Sequence, residues 1–147
     1  MSSTIAPQEA DQIALAEAFP MDSILRRYIS EHGLTWESAK EHERELKRYL
    51  VLCATRPEAG YGMMGPVDEL WHTFIIFTRE YAQFCDVVAG RFIHHVPRDP
   101  SDESGTIAAG YQKFLEDYAE MFGEEAPPHL WPRLHQGATS GGDCSFG

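Results

Sequence analysis

Basic residues are scarce in this chain. It has 12 Lys and Arg against 23 Asp and Glu, a net charge of −11. A duplex-binding face needs clustered Lys and Arg to displace counterions from phosphates. The densest charged run, Glu41-His42-Glu43-Arg44-Glu45-Leu46-Lys47-Arg48, alternates in sign instead, the pattern of a solvated helix face with local ion pairs. Neither nucleic acid nor an anionic membrane surface is therefore expected as a partner. No apolar run approaches the roughly 20 residues a spanning helix needs, and the first twenty residues lack the basic and apolar regions of a secretory signal. Cysteine is also sparse. Cys53, Cys85 and Cys144 form no CxxC and cannot all pair internally, which makes a reducing, cytoplasmic location the default expectation. The GxSxG and GxxxxGK[ST] signatures of hydrolases and phosphate cradles are absent.

Bulky core material is present. The chain has 147 residues, is 43% apolar, and carries eight Phe, six Tyr and three Trp, enough for one domain with a core that needs no disulfide. The expected fold is mainly α: a single compact domain of four to five helices over residues 21–135. A flexible arm over 1–20, with room for a helix turn or more, precedes it, and a disordered Gly-rich tail over 136–147 follows. Asp22 and Thr35 read as helix starts, Gly33, Gly90 and Gly123 as stops. Pro66 suits a first helical turn. Thr78 can begin a fresh helix, which places a break near Phe77-Thr78. Ser101 or Ser104 reads as the cap of the last long helix.

The segment from Pro66 to Pro97, PVDELWHTFIIFTREYAQFCDVVAGRFIHHVP, concentrates ligand-type side chains. Asp68 and His72 stand four apart and so share a helix face, about 5–6 Å between Cβ atoms. There the carboxylate either joins the imidazole on a metal ion or fixes its tautomer from outside. In an extended stretch alternate side chains point to opposite faces, so only one of His94 and His95 can face His72. On an unbroken helix Cys85 would lie about 220° round from His72; a break at Thr78 lifts that restriction. Asp68, His72, Cys85 and His94 or His95 would together suit a divalent transition metal, zinc above all. The plainer reading is that Asp68 sits where the helix dipole favours an acid and that Cys85 is a small buried hydrophobe. Cys53 reads as core and Cys144 as a free thiol, while His32, His42, His129 and His135 read as surface or cap residues.

The run Val67-Asp68-Glu69-Leu70-Trp71-His72-Thr73, with Tyr81, Cys85 and Gly90-Arg91 after it, resembles the glycine-rich domain-containing protein-like family, formerly a domain of unknown function. The likeness covers about residues 45–97. It implies an α-helical domain found in plant and microbial proteins, without a settled activity, whose larger plant relatives are linked to development and stress responses. It also implies that Asp68, His72 and Cys85 act as one set, with Trp71 and Tyr81 supporting. Phe74 stands where many such relatives have a second His, and only GGDCSFG corresponds to their long Gly-rich tails. Two functions follow as expectations. One is a small metal-binding protein. The other is a non-enzymatic module in which the same residues are core and hydrogen-bonding groups and a protein partner docks on an exposed apolar face.

Overall fold

A computed structural model describes residues 6–134 and 141–145. The chain is mainly helical, with six helices among the described residues: α1 Pro7–Ala18, α2 Asp22–His32, α3 Trp36–Thr55, α4 Val67–Ile76, α5 Thr78–Ala89 and α6 Thr106–Phe122. Three short strands accompany them, β1 Gly62–Met64, β2 His94–Pro97 and β3 Gly141–Ser145. No described helix is long and apolar enough to cross a membrane.

The helix ends follow local chemistry. Thr35 Oγ1 accepts from the Ser38 N–H at 3.0 Å, and Gly33, Gly90 and Gly123 close α2, α5 and α6 in the left-handed region where a side chain would be strained. The chain breaks at Phe77 (φ −83°, ψ 68°), between α4 and α5, as the sequence predicts. At α6 the start differs from expectation. Gly105 occupies the cap position, and Ser104 instead accepts from the Thr106 N–H and bonds the Thr106 hydroxyl.

Both ends of the chain carry more structure than composition suggests. Within the segment read as an arm, α1 packs on α3 and α5, and the Gln12 amide donates to the Val88 carbonyl at 2.9 Å. Within the segment read as a disordered tail, residues 141–145 form the central strand of an antiparallel sheet ordered β1-β3-β2. Its register sets Met63 opposite Gly142 and His95 opposite Cys144. Glycine lowers strand propensity, but two flanking strands supply hydrogen-bond partners on both sides, and pairing overrides propensity. Positions 136–140, 146 and 147 of that tail, and His135, lie outside the described residues.

Helix α3 runs through the middle and touches α1, α2, α4, α5 and α6. Its Tyr49 ring meets Trp71 at 5.4 Å and Phe114 at 5.0 Å, and Phe114 meets Trp131 at 4.7 Å, so the core is an aromatic cluster. The expectation of a solvated face over residues 41–48 is corrected here: His42, Glu43, Glu45 and Lys47 are buried. Several of their partners are remote in sequence. Glu45 Oε1 accepts from Tyr118 (2.8 Å) and Trp131 Nε1 (2.9 Å), and Lys47 Nζ donates to the Phe19 carbonyl (2.6 Å) while pairing with Glu43 (2.7 Å). A buried charge tolerates desolvation only when it is paired in this way. His42 is likewise no surface residue; its Nδ1 bonds the Tyr28 hydroxyl at 2.8 Å. His32 packs at a tilt against Tyr28 (4.8 Å between rings), and His129 pairs with Glu41 at the surface.

Candidate metal site

Two elements bring the site together. Helix α4 presents Asp68 in its first turn and His72 one turn later, and strand β2 lays His95 across them. Asp68 is buried, 3% exposed, yet both of its oxygens are engaged. Oδ1 lies 2.8 Å from His95 Nε2 and Oδ2 lies 3.4 Å from His72 Nε2. The His95 side chain is 6% exposed, while that of His72 is 50% exposed. His95 stacks on the Trp71 ring (4.1 Å between centroids) and on the His72 ring (4.7 Å). Its Nδ1 is buried without a hydrogen-bond partner among the described residues.

A hydrogen-bonded frame holds β2 in place. Trp71 Nε1 donates to the Tyr81 hydroxyl at 3.0 Å, and that hydroxyl donates to the Ile93 carbonyl at 2.5 Å. The Ile93 N–H is spent on Cys85 Sγ at 3.4 Å. Trp71 and Tyr81 therefore stand behind His95, Trp71 through its stacked ring and Tyr81 through the Ile93 carbonyl.

Asp68, His72 and His95 lie close enough to hold a metal ion: each offers one ligand atom within 4.8 Å of the others. Tetrahedral coordination with bonds of about 2.0–2.1 Å sets ligand atoms roughly 3.3 Å apart; the 2.8 and 3.4 Å contacts lie near that value but run to different oxygens of Asp68. Cys85 and His94 do not join them. Cys85 is buried behind β2, where burial pushes its thiol pKa up and the Ile93 N–H opposes this only in part, so it is neither a ready ligand nor an activated nucleophile. His94 points to solvent, edge-on to Phe92 at 4.9 Å. The alternation of an extended strand separates the two adjacent histidines, and the structure assigns the inward place to His95.

A family model described as UCP032817-like matches residues 11–117. The chain belongs to the UCP032817-like family. No curated protein and no solved structure matches it. The resemblance to the glycine-rich domain-containing protein-like family is thereby corrected. It rested on a short Asp-x-x-Trp-His core within residues 45–97, whereas the UCP032817-like match runs from α1 into α6 and takes in the whole Asp68–His72–His95 site. The coupling of Cys85 to Asp68 and His72 drawn from that resemblance loses its basis as well.

Proposed function

We propose that this UCP032817-like protein binds a divalent transition metal ion, zinc above all, through Asp68, His72 and His95. One observation carries the reading: imidazoles from two different elements converge on the two oxygens of a single buried carboxylate. Two nitrogens and one oxygen suit a borderline cation, and three protein ligands leave a fourth position for water or another donor. Such an ion would supply Lewis acidity at that position. The two histidine rings stack on one another, inclined by only 25°. His72, half exposed, is the ring with room to turn onto a shared ion.

The orphaned His95 Nδ1 bears on affinity. A ligating His ordinarily donates its other N–H to an acceptor, and losing that partner weakens binding by about 10–100-fold. Modest affinity is expected. The same atom supports the second reading, in which His95 donates Nε2–H to Asp68 and the contact is a clasp between β2 and α4 within a protein-interaction module.

Elemental analysis and zinc titration of the untagged protein separate the two. Near-stoichiometric uptake is expected, weakened at least about tenfold in Asp68→Ala, His72→Ala and His95→Ala and unchanged in Cys85→Ser and His94→Ala. Folded protein that takes up no metal would leave the clasp. Equal loss in the Cys85 variant would put the thiol back among the ligands.

A further inference from the structure

A cavity lies beside α3, lined by none of Asp68, His72 and His95. Where α1, α3 and the end of α6 meet, the described residues enclose a cavity of about 80 Å³. One water needs only roughly 10–15 Å³ of such space. Its walls are mostly apolar, from Ile13 and Ala16 on α1, Val51 on α3 and Phe122 on α6. Water held there finds few partners, which favours its displacement by an apolar group.

The mouth carries three cations, Arg44, Lys47 and Arg48, each paired with a carboxylate. Lys47 forms part of the wall, but its donors are committed to Glu43 and to the Phe19 and Glu17 carbonyls. The two arginines are differently placed. Arg44 engages Glu45 Oε2 through Nε and Nη2, and its bonds among the described residues leave Nη1 over. Arg48 lays its guanidinium on the Phe122 ring, 4.5 Å from the centroid, and bonds Tyr118 and Glu124 through Nη1 alone. The guanidinium fork of Arg48 is thus fixed in orientation by a ring, a phenol and a carboxylate, with two donor positions to spare. Arg44 and Arg48 stand four apart on one helix face, so both can reach one anion at the same mouth. Glu17, exposed at the rim, adds a negative charge to those of Glu45 and Glu124, a balance that disfavours a dianion and leaves only the spare guanidinium donors to hold an anion.

We propose that this cavity binds a small monocarboxylate with an apolar body. The carboxylate sits on the Arg44 and Arg48 guanidiniums, where planar two-donor contacts are strongest. A short aliphatic chain fills the space between Ile13, Ala16, Val51 and Phe122. The site is independent of Asp68, His72 and His95, so metal loading and carboxylate binding succeed or fail separately.

Hexanoate, hexanol and hexylammonium titrated separately into the isotope-labelled full-length protein provide the test, read by amide chemical shifts. Hexanoate is expected to move the amides of residues 13–17 and 44–51 saturably, with hexanol at least about tenfold weaker and hexylammonium weaker still. Arg44→Gln should weaken hexanoate by a similar factor, and Ile13→Trp, which fills the cavity, should abolish the response. The wild-type contrast between the three probes needs no variant, so the outcome does not hang on how Arg44→Gln tolerates the loss of its bond to Glu45. Hexanol binding as well as hexanoate, hexanoate shifts confined to other parts of the chain, or equal hexanoate binding in Arg44→Gln would each overturn the assignment.

Discussion

The Tyr81 hydroxyl makes two bonds on which the placement of His95 depends. It accepts from Trp71 Nε1 and donates to the Ile93 carbonyl, two residues before His95, and burial pushes its pKa well above that of a free phenol. Tyr81→Phe removes both bonds and leaves a buried N–H and a buried carbonyl unpaired, each worth about 1–3 kcal/mol. Urea denaturation should show a loss of roughly 2–4 kcal/mol, and zinc affinity should fall in parallel because β2 loses its anchor. A phenylalanine variant as stable as the parent would remove Tyr81 from the frame. His42 supports a different residue-scale prediction. Burial lowers its pKa below the ordinary 6.5; nearby Glu41 opposes the shift, and His129 and His32 add to it. Folding therefore favours the neutral ring, and its contribution is complete above about pH 6.5. As pH falls from there toward the depressed folded value, the unfolded chain takes up the proton first and stability drops. Thermal melts between pH 7 and 5 should show that drop, and His42→Gln should flatten it; an unchanged slope in the variant would assign the drop to other groups.

At the scale of elements, α6 and β1 meet backbone to backbone. A Cβ added at Gly110 would fall on the Gly60 carbonyl oxygen, and one added at Gly62 on the Ile107 carbonyl oxygen. Neither neighbour is a flexible side chain that can give way. Gly110→Ala should therefore cost at least about 1–3 kcal/mol through overpacking, although alanine is the better helix former. Circular-dichroism melts check this, and a stabilised variant would mean that the helix shifts freely along β1. Most helix ends were legible in the sequence because their causes are local: the Thr35 hydroxyl, glycines at left-handed positions, and the break at Phe77. The last helix start was not, because Gly105 and Ser104 divide the capping work between them. The burial of the Glu41–Arg48 run was also hidden. Alternating charges look the same whether their partners are water or the Tyr118, Trp131 and Phe19 groups that folding brings from elsewhere. Strand β3 was illegible for a related reason, since its partners β1 and β2 lie dozens of residues away. Of the site, the Asp68–His72 pair followed from helical spacing alone. Period-two alternation required one of His94 and His95 to face it but could not choose between them. The exclusion of Cys85 needed the position of Ile93, which only the packed strand supplies.

For the whole molecule, the proposed metal binding would be linked to folding, because the site joins α4 to a strand that pairs with the last described segment of the chain. The unfolded chain has no such convergence of Asp68, His72 and His95, so an ion held by all three stabilises the folded state alone. At a free zinc concentration 100 times the dissociation constant the gain is about 2.7 kcal/mol. For a protein of this size that corresponds to a rise in Tm of roughly 5–10 °C. The variants then separate ligation from packing. Asp68→Ala and His95→Ala remove buried groups and should lower Tm even without metal, as well as abolish the zinc-dependent rise. His72 is half exposed and contributes little to packing, so His72→Ala should melt near the parent without zinc and lose most of the rise with it. That pattern belongs to a metal site. A clasp predicts the same melts without zinc, a lowered Tm in the Asp68 and His95 variants and a near-silent His72 variant, but no response to zinc in the parent or in any variant. The His72 variant is therefore the decisive sample, because it is the one ligand whose loss leaves the fold intact.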